Sequence, residues 1–221
     1  METLLPNVDW LEIWQASLDT LNMLGGSMLF TVLFGLPLGV LLFLTGPRQM
    51  FEQKGLYAVI SLVVNVLRSV PFVILLILLI PVTVVITGTS LGVAGAIPPL
   101  VVGATPFFAR LVETALREVD RGIIEATQAM GASTRQIIFN ALLPEALPGI
   151  LAAITVTAIT LVSYTAMSGL IGGGGLGDLA VRYGYQRYQP DVMFVTVALL
   201  VVLVQILQTI GDRLVVHFSR K

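Results

Sequence analysis

The segment Ile123–Gly149, IIEATQAMGASTRQIIFNALLPEALPG, is polar and charged at its start, in a chain whose surroundings are strongly apolar. It reads as about two turns of helix, a glycine, and a second short helix stopped or kinked by Pro144 and Pro148. Val119, Ile123, Ala126 and Met130 recur at helical spacing and form one apolar stripe. Gly131 stands where a helix ends in a left-handed residue. Ser133 followed by Gln136 has the form of a capping box that starts the next helix. Two readings are open on pattern alone. The segment is an ordinary loop helix lying on a membrane surface, or it is a handle that a partner grips.

The rest of the chain decides the solvent. Of 221 residues, 56% are hydrophobic and 11% charged, against about 25% charged in soluble domains. A soluble globule of this size cannot bury that much apolar surface, so the bilayer is the expected solvent. The net charge of −1 excludes a nucleic-acid partner on electrostatic grounds, and the absence of cysteine excludes disulfides and thiolate chemistry. The single histidine, His217, has no second ligand beside it and reads as a surface residue, so no metal site is expected. No Lys or Arg precedes Arg48, so the basic start of a signal peptide is missing. Asp9, Trp10, Glu12, Trp14 and Asp19 read as an amphipathic lead-in at the interface.

A spanning helix needs about 20 mostly apolar residues. Five segments qualify: Leu21–Leu44, Leu56–Ile80 with Arg68 inside it, Val93–Ala115 with three prolines, Gly149–Ile171, and the 20 uncharged residues between Asp191 and Asp212. The fold expected is therefore all-α, one transmembrane domain over residues 1–221 with five spans. Lys and Arg set its orientation. Arg48, Lys54, Arg110, Arg117, Arg121, Arg135, Arg213, Arg220 and Lys221 collect on one side, and Arg182 and Arg187 on the other. That bias puts the N-terminus outside and the C-terminus in the cytoplasm. The segment of about 117–145 is then cytoplasmic, and a Gly-rich loop of about 172–190 is external.

Enzyme chemistry finds no footing. A P-loop needs lysine followed by Ser or Thr, and the only lysines are Lys54, before Gly55, and Lys221, the last residue. GGGGLG, Gly172–Gly177, formally fits a dinucleotide fingerprint, but it follows a membrane helix rather than a strand and reads as a tight turn. Ser69, Ser163 and Ser168 have no histidine at membrane depth to activate them. Five spans do not divide into the equal inverted halves of many secondary carriers.

Two places could line a path. Arg68 lies about a dozen residues into the second span, roughly 18 Å deep, where an arginine costs about 2.5–3.5 kcal/mol on insertion scales. Either it lines a pathway or gate, or its guanidinium satisfies carbonyls freed by Pro71. In the fourth span Thr157, Thr160, Ser163, Tyr164, Met167 and Ser168 fall within about 140° of arc. Such a stripe is helix–helix glue or a cavity lining, and Met167 fits packing as well as a gate.

Glu125-Ala126-Thr127, Gly131 four residues on, and Leu142-Leu143-Pro144 together resemble the coupling motif of ABC importer permeases: Glu-Ala-Ala, three residues, Gly, nine residues, Ile-x-Leu-Pro. Thr127 and Ala141 depart from it. The stretches NVLRSVPFVILLILLIP, GGGGLGDLAVRYGYQRY and GDRLVV extend the likeness over roughly Leu18–Lys221, to the permease subunits of bacterial methionine importers. The resemblance implies a type I importer permease of the bacterial inner (cytoplasmic) membrane, embedded in lipid and working as a homodimer. It implies two separate ABC ATPase subunits that hold the ATP and Mg, since this chain carries no cofactor of its own. It implies an external substrate-binding (lipo)protein, and a coupling role for Glu125, Ala126, Thr127, Gly131, Leu143 and Pro144. The substrate it points to is methionine, D and L. Another amino acid or a small osmolyte is the alternative within the class, and a stand-alone channel or secondary carrier the alternative outside it.

Overall fold

A computed structural model describes residues 5–219; Arg220 and Lys221, counted above for orientation, lie outside the described residues. Helix α1 spans Trp10–Thr45. At 1.5 Å per residue it is about 54 Å long, far longer than the roughly 30 Å hydrocarbon core. The interfacial lead-in is therefore the first turns of the same helix, capped by Asp9, whose Oδ1 accepts from the amides of Leu11 (2.9 Å) and Glu12 (3.3 Å). Trp10 and Trp14 stand exposed there, as ring systems at headgroup level do.

The second span departs from expectation. Leu56–Ile80 is not one straight helix: α2 (Lys54–Ser69) and α3 (Phe72–Leu78) meet at a bend of 101°. The cause is local. Proline disfavours helical backbone in the residue before it, and Val70, preceding Pro71, is extended at φ −78°, ψ 126°. A short α4 (Ile80–Thr87) follows and ends on left-handed Gly88. Among the described residues four helices are long and apolar enough to cross a membrane, and five spans result if the bent pair counts as one. The third, α5 (Gly92–Arg117), keeps Pro98, Pro99 and Pro106 inside continuous helix, which membrane helices tolerate where neighbours re-satisfy the backbone.

Small residues hold α1 against α5. Ser27, Thr31, Gly35 and Gly39 recur every fourth position on the buried face of α1. A Cβ at Gly39 would stand 2.6 Å from the Val112 side chain and 2.7 Å from the Ala109 carbonyl oxygen. Lipid gives no hydrophobic drive for helices to associate, so this close approach and its dispersion contacts carry the packing.

Past α5 the chain forms α6 (Arg121–Ala129), one turn α7 (Thr134–Gln136), a π-helical stretch Ile137–Leu142, one turn α8 (Leu143–Glu145) and α9 (Leu147–Ser168). Pro144 and Pro148, expected to stop or kink the chain, do not stop it. Each sits in the first positions of a helical run, where a missing N–H costs nothing. The Gly-rich segment is likewise less of a loop than expected. After a 3-10 turn at Gly169–Ile171 it becomes α10 (Gly175–Leu179) and a second π-helical stretch, Ala180–Tyr185. Its glycines admit other backbones: a Cβ at Gly177 would lie 2.3 Å from the Ala166 Cα. Gly177→Ala is expected to abolish the folded transporter, read as loss of a monodisperse peak on size exclusion in detergent. The last helix, α11 (Pro190–Phe218), is the least covered span. Only Val192, Thr196 and Gly211 are buried on it.

Candidate functional site: an exposed loop segment and a polar cavity

The segment between α5 and α9 is built from local signals. The Asp120 side chain accepts from the Gly122 amide (2.8 Å) and starts α6. Helix α6 ends in a Schellman arrangement: the Gly131 amide donates to the Gln128 carbonyl (2.9 Å) and the Ala132 amide to the Thr127 carbonyl (3.1 Å). Gly131 takes φ +79°. The capping box is present, with the Ser133 amide donating to Gln136 Oε1 (2.8 Å) and the Gln136 amide to Ser133 Oγ (3.4 Å). Thr127 Oγ1 donates to the Ile123 carbonyl (2.9 Å). The hydroxyl is thus satisfied within its own helix, which is why threonine stands where the motif has alanine.

The stripe faces two ways. Val119 and Ile124 are buried with Leu116, Ile137 and Leu142 in a core cluster that anchors the segment to α5 and α1. Val119 is therefore not part of a docking stripe, and Ile124, outside the stripe, supplies the anchor. Glu125, Ala126 and Gly131 are exposed, Met130 is 78% exposed, and Phe139 of the π-helical stretch is 59% exposed. Thr127 and Leu143 are half-buried, and Pro144 is exposed. These residues are the exposed part of a segment whose buried part, Val119, Ile124, Ile137 and Leu142, packs on the chain's own core. Phe139 was missed in the sequence because only the stripe before Gly131 was traced.

The path candidates separate into two places. Arg68 and Tyr164 line one cavity of about 130 Å³ at the α2–α3 bend, with Phe72, Gly103 and Phe107 among its walls. The Phe72 and Tyr164 rings stack at 4.1 Å, and the Arg68 guanidinium stands 5.9 Å from the centre of the Phe107 ring. Among the described residues no hydrogen bond joins Arg68 to the carbonyls freed by Pro71. Ser163 and Met167 instead line an apolar groove between α9 and α11, with Val201 and Gln205 opposite. Thr160 is half-buried, its hydroxyl on the Val156 carbonyl (2.9 Å). Thr157 and Ser168 are fully buried, bonded to the carbonyls of Ala153 and Thr165. The fourth-span stripe is thus divided between a cavity, a groove and the interior.

Two charged constellations escaped the sequence reading. Glu113, buried in α5, accepts from Arg110 Nη1 (2.7 Å), Arg117 Nη2 (2.6 Å) and the Tyr57 hydroxyl (3.2 Å). Arg110 also donates to Ser61 and to Asn65 Oδ1 (3.1 Å), which ties α2 to α5. On the opposite side, Arg182 Nε donates to buried Asp178 (2.7 Å). That hydrogen bond holds the Arg182 guanidinium above its ordinary pKa, with burial working the other way. Exposed Tyr185 and Tyr188 lie beside it, and Arg187 stacks 4.4 Å over Tyr183.

A bundle of long apolar helices with a polar cavity at a broken span and an exposed amphipathic segment on one loop is the architecture of a membrane transport component. The match over residues 32–221 to the family described as binding-protein-dependent transport system inner membrane component makes the assignment specific, and the chain belongs to that family. It is 55% identical over 181 residues to a probable D-methionine transport system permease of Vibrio cholerae, covering 82% of this chain and 80% of that one. It is 50% identical over 211 residues to a methionine import system permease of Bacillus subtilis, covering 96% and 95%. Its backbone superposes with TM-score 0.93 and 48% identity on a chain of the MetNI methionine ABC transporter in inward-facing conformation, covering 96% of this chain and all of that one. An amino acid ABC transporter with histidines, at 20% identity and TM-score 0.74, shares the fold.

Proposed function

We propose that this chain is the permease subunit of an ATP-driven importer of methionine, D and L, acting as a single transmembrane domain in a homodimer. The observation that carries the proposal is the cytoplasmic surface of Met130, Gly131 and Phe139. It is apolar, fixed by two helix caps, and without a partner in its own chain. Relatives at 50–55% identity named for methionine transport support the substrate. In this reading two ABC ATPase subunits bind that surface and hold ATP and Mg, and this chain contributes no catalytic group. An external binding protein delivers substrate to the side of Tyr185 and Tyr188. Closure of the ATPases pushes the anchored segment, and the two copies alternate between outward and inward openings within the lipid bilayer.

The test is ATP-dependent uptake of labelled methionine into vesicles carrying the permease, its ATPase and its binding protein. Uptake that needs all three and ATP is expected. Uptake without the ATPase would overturn the reading in favour of a carrier or channel, and uptake of other amino acids alone would overturn the substrate. The orientation has its own check. A reporter fused at the C-terminus is expected in the cytoplasm and one at the N-terminus outside, on the Lys/Arg bias. Both ends on one side would exclude five spans.

A further inference from the structure

We propose that the Arg68 cavity is a transit subsite that binds the carboxylate of an amino-acid substrate, with the substrate's apolar side chain against aromatic walls. The inference rests on the importer reading above and adds to it a contact within the membrane part. Helix α2 starts at Lys54 on the cytoplasmic side, so Arg68 lies about 21 Å along it at 1.5 Å per residue, close to mid-membrane.

The chain treats the arginines at the far end of α5 differently. Arg110 and Arg117 share the Glu113 carboxylate. Arg68 has no carboxylate within ion-pairing distance among the described residues, and its side chain faces a cavity rather than the protein interior. An uncompensated guanidinium at this depth marks a substrate or ion pathway.

A second copy of the chain cannot supply the missing anion. Copies related by an axis along the membrane normal keep every residue at the same depth. The described acids of the long helices lie outside the apolar stretches 21–44 and 192–211, as Asp19, Asp191 and Asp212 do, or belong to the Glu113 cluster. Lipid headgroups stay at the interface. The anion must therefore arrive from outside the permease, and an α-carboxylate matches a planar guanidinium by two parallel hydrogen bonds.

The walls fit the remainder of such a substrate. Phe72, Phe107 and Tyr164 give three rings around one cation, and thioethers make favourable contacts with ring edges. At about 130 Å³ the space in one protomer is well below the roughly 300 Å³ of ordinary ligand pockets. It offers a headgroup subsite, from which a substrate leaves easily, rather than a tight enclosure.

The chain has no cysteine, so Val70→Cys places a single thiol of this chain on the cavity wall, and Leu67→Cys is a second position should Val70→Cys fail to assemble. Alkylation of that thiol is followed by mass on this chain, in the permease–ATPase complex without binding protein and in gluconate buffer. An anionic alkylating agent, iodoacetate, is expected to react about tenfold faster than a cationic one, bromoethylammonium, and Arg68→Gln to remove the preference. Methionine is expected to slow the reaction, methioninol, its alcohol analogue without the carboxylate, to leave it unchanged, and Arg68→Gln to abolish protection while Arg68→Lys retains part of it. No alkylation at either position, no protection by methionine, equal protection by methioninol, or equal protection by chloride would each overturn the subsite. Each of these outcomes is compatible with intact ATP-driven uptake by the unaltered protein, so loss of the subsite and loss of the importer reading are read separately.

Discussion

Glu113→Ala is expected to lower the stability of the helix bundle by about 3–5 kcal/mol. The carboxylate is 3% exposed and sits between two guanidinium groups at 2.6 and 2.7 Å. Removing it leaves Arg110, itself largely covered, without its counter-ion in a low-dielectric setting, and Arg117 unpaired beside it. The Tyr57 hydroxyl loses its acceptor as well, and with it goes part of the hold of α2 on α5. Thermal unfolding of the detergent-solubilised permease is the measurement. A companion variant makes the cause distinguishable. Arg110→Leu with Glu113→Leu and Arg117→Leu removes the whole cluster, and replacing a buried ionic group by apolar residues is often neutral or stabilising. Recovery in the triple variant is expected. A triple variant as unstable as Glu113→Ala would show that the charges matter for something other than their mutual neutralisation.

The cluster also shows where sequence reasoning stopped short. Arg110, Glu113 and Arg117 are spaced three and four apart, which places them on one helix face. That signal was readable. It was passed over because the arginines served as markers of the cytoplasmic side, a use in which Glu has little weight. The caps at Gly131 and Ser133 were legible for the opposite reason. They are complete within a few residues of chain, and no tertiary partner changes them. The bend at Pro71 lay between these cases. The proline was visible, but a hydropathy window averages over 101° of turning and reports one span. The division of the fourth-span stripe was not readable at all. An arc of about 140° on a helix is wide enough to meet two neighbours, and only the placement of α3 and α11 decides that Tyr164 faces one space and Met167 another.

The same limit governs Val119 and Phe139, and it bears on the second large effect, expected at the docking surface. Which side of a short amphipathic helix faces its own protein is settled by the anchor, here Ile124, and what the anchor leaves exposed is available to a partner. Met130→Glu and Phe139→Glu are each expected to weaken co-purification of the ATPase by more than about 30-fold, from the roughly 2 kcal/mol lost when a central apolar contact is truncated plus the cost of burying a charge. Glu125→Ala is expected to lose about 1.5–3 kcal/mol if its contact is charge-assisted. Gly131→Asp changes geometry and adds a carboxylate to the same surface. A Cβ there meets nothing within 4 Å, so within this chain the change carries the left-handed conformational cost of about 1 kcal/mol. That is too little to unfold the chain and enough to alter the angle between α6 and the helix after it. All four variants are expected to insert and to behave as the unaltered protein on size exclusion, while uptake falls with ATPase binding. Thr127→Ala is the control. Its hydroxyl bonds only its own helix, so restoring the motif's alanine is expected to leave binding and uptake unchanged. Unaltered ATPase binding in Met130→Glu and Phe139→Glu would return the segment to an ordinary surface loop, and a loss in Thr127→Ala would mean that the surface is read by the partner in finer detail than its apolar knobs.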